Sequence, residues 1–223
     1  MELFLDNFAN WDSLKDAYPL LLQGLWMTIL LSIAALPVGM ALGLLVGVVY
    51  SFHIRWLNRI LIVYIDLCRS FPIIVLLVLI FYGLPFLGLT LNAFVAVIVA
   101  LGLNNSGYYG EIFRAGIQSV PKGQREAARA LGLGPLQEVA YVVLPQAVRK
   151  VLAPLASNSL ELIKGTSVAS LVALPDLLRS ARVAQEQSYN PTPLMAAAVI
   201  FFIALWPLAR WVARLERQMM VRR

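Results

Sequence analysis

The sequence predicts an all-α integral membrane protein with five transmembrane helices, and three observations carry that expectation. Composition comes first: 60% of the 223 residues are hydrophobic and 13% charged, with a mean hydropathy of +0.77, outside the range of ordinary soluble domains. Next is the length of the charge-free runs. Ala17 to Phe52 holds no formal charge and exceeds the roughly 20 residues that one spanning helix needs. The third is charge placement. Thirteen of the eighteen Lys and Arg fall in the turn 51–59, the stretch 114–150 and the tail beyond 209, while Lys15, Arg179 and Arg182 are the only ones in the segments assigned to the opposite side. By the positive-inside rule the amino end lies outside and the carboxyl end in the cytoplasm.

In chain order, residues 1–17 carry Glu2, Asp6, Asp12 and Asp16 against Lys15 and read as a short acidic external segment without the basic region and cleavage site of a secretory signal. A single transmembrane domain is expected over 18–214, with spans at about 20–50, 60–83, 90–113, 140–173 and 193–213. In the first span Gly39, Gly43 and Gly47 recur every four residues, a smooth stripe for close helix packing, and Pro37 is expected to bend it. His53, Arg55 and Arg59 mark a cytoplasmic turn. In the second span Asp66 and Arg69, one turn apart, are expected to form a structural ion pair.

The third span holds a belt of Asn104, Asn105, Ser106, Tyr108 and Tyr109 ending at Glu111 and Arg114. Lipid tails cannot satisfy such groups, so they face other helices or a wet cavity. The fourth span has no charge-free window of 20 residues, yet Ser157, Asn158, Glu161 and Lys164 lie at three- and four-residue spacing on one helical strip while Leu155, Leu160 and Ile163 are apolar. One polar wall is what a solute pathway requires. Glu161 has two readings: a salt bridge that neutralises Lys164, or a contact to solute. Pro175 to Pro193 reads as an amphipathic, partly helical external connection, and 215–223 as a basic cytoplasmic tail.

One long polar interruption remains, 120–139. Pro121 and Gly123 open it, Gly132, Gly134 and Pro135 close its first half, and Gln124 to Leu133 between them is rich in helix formers. Ala127, Ala128, Ala130 and Leu131 form a small-residue apolar surface, with Arg125, Glu126 and Arg129 elsewhere on the wheel. So short a helix needs something to dock against. Helix physics alone leaves a membrane-surface linker and a protein-docking helix equally open.

The residues themselves resemble a known family. Glu126, Ala127 and Ala128, then Gly132, then Leu144 and Pro145, resemble the cytoplasmic loop signature of the permease subunits of ABC importers. The flanks YYGEIFRAGIQSVPKGQ (Tyr108 to Gln124) and LPQAVRKVLAPL (Leu144 to Leu155) resemble its polar amino acid branch. YIDLCRSFPIIVLL is similar to the second-helix motif, with Phe71 where a small residue is usual, and NSLELIKGTSVASLV to the fourth-helix run, with Gly165 where Asp is common. Gly110 stands where the family usually has Ala.

The resemblance implies a type I importer permease fold in a bacterial cytoplasmic (inner) membrane. Its implied partners are a second permease subunit, two ABC ATPase subunits, an external solute-binding protein and the lipid bilayer. ATP and Mg are used by the ATPase, with no cofactor bound by this chain. It makes Glu126, Ala127, Ala128 and Gly132, with Arg125 and Arg129 beside them, the residues that couple to the ATPase. Ser157, Asn158, Glu161, Asn104, Asn105 and Tyr108 become the translocation path. The implied solute is a polar amino acid or a related zwitterionic or cationic compound such as a compatible solute or opine.

Absences narrow the chemistry. There is no G-x-x-x-x-G-K-[ST] phosphate loop, and one histidine (His53) and one cysteine (Cys68) supply neither a hydrolytic triad nor a paired metal site. The net charge of +6 sits beside apolar spans, so topology explains it without nucleic acid. An ion-gradient transporter, a channel or a purely structural subunit would share the spans but would have no need of the docking helix.

Overall fold

The computed structural model describes residues 8–52 and 54–221, and all regular structure among them is helical. Glu2, Asp6, His53, Arg222 and Arg223, which entered the topology reading, lie outside the described residues. Helix α1, Trp11–Tyr50, starts behind Asn10, whose side chain accepts the Ser13 amide at 2.9 Å, with Asp12 in its first turn. Cap and charge both favour a helix start there. The expected external segment is therefore helical from Trp11 and continuous with the first span. The helix passes Pro19 and Pro37 unbroken.

The second span is not one helix. Helix α2, Arg55–Ser70, meets α3, Ile73–Val78, at 97°, and α3 continues through a π turn, Leu79–Gly83, and a 3-10 turn, Leu84–Leu87. The break has a local cause: Pro72 has no amide to donate, and Phe71 before it is extended (φ −77°, ψ 124°). Asn104, from the next helix, donates to the carbonyls of both Cys68 and Phe71 at 2.9 and 3.0 Å, satisfying acceptors that the end of α2 would otherwise leave bare.

Helix α4, Ala93–Gln118, is the packing centre, with α1, α2 and the later helix Leu144–Gly165 against it. The glycine stripe of α1 meets it in register. A Cβ on Gly39 would touch Asn105 at 3.4 Å, one on Gly43 would overlap Tyr109, and one on Gly47 would lie 2.6 Å from Phe113. Both rows advance by four residues, so the backbones approach along the whole ridge. Tyr109 is fully buried in the resulting core with Leu31, Ala35, Leu101, Phe113 and Leu162.

The short helix α5 covers Lys122–Ala130, shifted toward the amino end of the expected 124–133 because Pro121 caps it and the chain turns at Gly132. A helical turn at Pro135–Gln137 and a π turn, Glu138–Val143, lead without a break into α6, Leu144–Gly165, which tightens into a 3-10 segment, Thr166–Val172. Ala173, at φ 56°, ends it. Asp176 then caps α7, Leu177–Ser188, and α8, Thr192–Val221, closes the chain. A second core of Ala17, Leu21, Leu177, Ala181 and Ala197 ties the start of α1 to α7 and α8.

Trp11–Tyr50, Pro135–Val172 and Thr192–Met219 are each long and apolar enough to cross a membrane, and the bent pair α2–α3 would make a fourth. With 26 residues α4 is about 40 Å long, also beyond the hydrocarbon thickness, but its polar belt interrupts its apolar run.

Candidate functional site

Two groups of residues are positioned to act. The first is α5 and what holds it. On this helix Ala127, Ala130 and Leu131, spaced three and four apart, point outward together, with Leu131 82% exposed. Glu126 is also exposed. Ala128 is not part of that surface: it is buried against the body of the protein, which corrects its expected place beside Ala127 on the docking face.

The end of the helix follows from Gly132. Its φ of +79° is in the left-handed region that glycine enters without a Cβ penalty. The Gly132 amide donates to the Arg129 carbonyl at 2.9 Å and the Leu133 amide reaches back to Ala128 at 3.1 Å. These are the two bonds of a Schellman cap.

Arg125, largely buried, and Arg129, which stays exposed, both reach Glu138, a residue that sequence reasoning missed. Arg129 donates through Nε to Glu138 Oε2 at 2.7 Å, and Arg125 Nε lies 2.9 Å from Oε1, an ion pair without hydrogen-bond alignment. The Glu138 side chain is only 4% exposed. The hydrogen bond from Arg129 holds its carboxyl below the usual range, against the opposing effect of burial. Arg125 also donates to the Ser51 carbonyl at the end of α1, at 3.4 Å. Ser51, Phe52, Lys122, Arg125, Glu126 and Arg129 are among the residues lining a cleft of about 490 Å³ here. The signal that could have revealed Glu138 is a lone acid at the mouth of an apolar run, shortly after two arginines. No helical spacing connects it to them, because Gly132 and Gly134 intervene.

The second group lies within the helices. Asn104 caps α2, as described above. Asn105 donates to the Leu101 carbonyl at 3.0 Å and accepts from Asn158 at 3.3 Å. Ser157 donates to Glu216 of α8 at 2.5 Å, a partner the sequence did not suggest. Tyr109 and Ser159 hydroxyls meet at 2.8 Å. These polar groups join helices to one another.

Tyr108, Glu161 and Lys164 remain open. Lys164 donates to Glu161 at 2.6 Å near the carboxyl end of α6, with side chains 46% and 66% exposed. The expected pair of Asp66 with Arg69 does not form. Arg69 lies over the Tyr108 ring, 5.5 Å from its centroid, and the Tyr108 hydroxyl donates to the Arg69 carbonyl at 3.4 Å, while Asp66 is exposed. The aromatic face of α4 competes successfully for the guanidinium.

Helix α5 thus presents an exposed apolar face braced by Glu138, and Glu161 and Lys164 form an exposed ion pair on α6. The family described as "Binding-protein-dependent transport system inner membrane component" matches residues 36–221. The chain belongs to that family. Among its relatives, the glutamine transport system permease protein GlnP of Escherichia coli (strain K12) is 32% identical over 215 residues, covering 95% of this chain and 98% of that protein. The L-cystine transport system permease protein TcyB of Bacillus subtilis (strain 168) is 36% identical over 181 residues, covering 81% and 77%. A crystal structure of an amino acid ABC transporter with histidines aligns at a TM-score of 0.81 and 33% identity over 92% of this chain and 97% of that one. The MetNI methionine ABC transporter in inward-facing form aligns at 0.74 with 24% identity, a likeness of fold. The fold is thus that of the type I ABC permeases.

Proposed function

We propose that this chain, paired with a second permease subunit of the same or a related kind, forms the membrane path of an ATP-driven importer for polar amino acids. Five spans cross the bacterial inner membrane, the fifth being α4 despite its polar belt, with the amino end outside and the carboxyl end in the cytoplasm. A separate ABC ATPase, using ATP and Mg, engages α5, and an external binding protein delivers the solute. This chain contributes no nucleotide site of its own.

The observation that carries the reading is α5, a helix too short to be stable alone, with Ala127, Ala130 and Leu131 outward and both ends set by Pro121 and Gly132. Small residues let a partner's groove approach the backbone. Motion of that groove on nucleotide binding then biases the spans between inward- and outward-facing states. The open charges fit a paired path, since Glu161 and Lys164 cannot face lipid at little cost and need a second protein surface or water. Side by side, they offer a carboxylate and an ammonium to the opposite charges of a zwitterion.

Reconstituted with the neighbouring ATPase and binding protein, the complex is expected to accumulate labelled glutamine only with ATP, to stop with vanadate, and to lose uptake in Glu161→Gln at normal abundance. Accumulation driven by an ion gradient without ATP would overturn the importer reading, and full uptake by Glu161→Gln would remove that residue from the path. A reporter enzyme active only outside the membrane, fused after Arg223, is expected to be silent.

A further inference from the structure

The covalent link between α5 and α6 is poorly suited to transmit force. Leu131 to Gly134 joins the docking helix to the root of α6, and two of its four residues are glycines, one held at φ +79°. A helix hung on such a linker would swing about it, and displacement at α5 would be absorbed there. The cap at Gly132 and the bonds of Gly134 to Gln137 and Glu138 hold the linker only locally, and the side-chain tie across it is the group of contacts around a single carboxylate.

Glu138 is the first residue of the π turn that becomes α6, and its side chain is almost wholly enclosed. Through Arg129 and Arg125 it is tied to two positions one turn apart on α5, and Arg125 extends the tie to Ser51 at the end of α1. An apolar contact could hold these elements together but would let them slide. The hydrogen bonds from Arg129 to Glu138 are directional and fix an angle as well as a distance, and the Arg125 ion pair holds a second point one turn away. Stability alone does not account for the device, because buried ionic groups are commonly matched by apolar ones of similar volume.

We propose that Glu138 is a positioning residue for energy coupling: through Arg125 and Arg129 it locks the docking helix to α6 as one lever, so that α5 cannot turn on its glycine linker. The inference rests on α5 being the surface that the ATPase engages.

The test uses the reconstituted full complex in a Cys68→Ser background, with spin labels at Gln124→Cys on α5 and Arg149→Cys on α6, both exposed positions. With Glu138 present, the distance distribution between the labels is expected to be narrow. In Glu138→Gln it is expected to broaden while the ATPase still co-purifies, and the solute moved per ATP hydrolysed is expected to fall about tenfold, within the usual range of coupling free energies. Arg125→Met with Glu138→Met removes the buried charges, leaves Arg129 free to turn to water, and is expected to fold and assemble while keeping the low transport ratio. A narrow distribution with a normal ratio in Glu138→Gln overturns the proposal, and so does recovery of the ratio in the methionine pair, which would reduce the cluster to packing. Ala130→Trp separates the two levels of inference. If it couples normally, the docking reading fails and the lever with it. If it abolishes assembly while Glu138→Gln behaves as wild type, only the lever fails.

Discussion

Gly132 offers the sharpest test of how the docking helix is shaped. An added Cβ there would meet no atom of this chain within 4 Å, so the first carbon of a side chain at this position meets no steric obstacle in the protomer. What it disturbs is the backbone. At φ +79° a residue with a Cβ costs roughly 1–2 kcal/mol, asparagine less because it tolerates left-handed geometry, and a β-branched residue more. Opening the cap would release the amides of Gly132 and Leu133 from Arg129 and Ala128 and let the last turn of α5 unwind. A loss of about 1.4 kcal/mol would reduce the population of the formed cap relative to the open one about tenfold. Solute uptake and ATP hydrolysis by reconstituted Gly132→Asn, Gly132→Ala and Gly132→Val complexes give the readout. If the backbone governs, coupling falls in the order Gly, Asn, Ala, Val, with the protein still inserted in the membrane. If the side chain merely collides with the ATPase groove, the order follows volume and Ala precedes Asn. Wild-type coupling in the Val variant would refute both the cap and the role of α5.

Two further predictions concern groups away from the docking helix. Asn104→Ala leaves the Cys68 and Phe71 carbonyls without their donor, and an unsatisfied buried carbonyl costs about 1–3 kcal/mol. A lower thermal midpoint in detergent and faster hydrogen exchange over 68–74 are expected, and a wild-type midpoint would show that the bend at Pro72 needs no support. Asp176, fully enclosed with Oδ2 unpaired, has its pKa raised to about 6 by burial, against hydrogen bonds from the backbone of α7 and the pull of Arg182. The folded state therefore holds this proton more tightly than the unfolded chain does. The associated stability is complete below the unfolded value of about 4 and is lost as pH rises through about 6, leaving about 1 kcal/mol between pH 5 and pH 7. Asp176→Asn keeps an N-cap acceptor and is expected to abolish that difference. An unchanged pH dependence of the midpoint in the variant would assign it to another group.

What could be read beforehand was whatever follows from periodicity. The four-residue glycine repeat on α1 announced close packing, and the structure sets it against Asn105, Tyr109 and Phe113, which repeat at the same interval on α4. The short helix α5 was legible because Pro121 and Gly132 bracket a run of helix formers. Glu161 and Lys164 were legible as neighbours because they are one turn apart, and they do pair. Asp66 and Arg69 have the same spacing and do not, because α4 places Tyr108 within reach of the guanidinium. Local spacing states what can meet, and a neighbouring helix decides whether it does.

The features that escaped the sequence are those made by contacts across chain breaks. Pro72 was visible, but a 97° turn requires acceptors at the end of α2 to be satisfied, and the donor that does this is Asn104, 32 positions further on. Ala128 and Ala127 look equivalent as letters, yet adjacent residues on a helix point about 100° apart, and once Arg125 is drawn to Glu138 the rotation of α5 is fixed with Ala128 inside. Under the proposed coupling role the signature combines two different physical tasks: outward Ala127 admits a partner, and inward Ala128, beside Arg125, sets the angle at which that partner is met. Mutations of the two alanines should separate accordingly. On that reading a bulky side chain at Ala127 is expected to act on the proposed interface alone, whereas one at Ala128 must first displace α5 from its own protein.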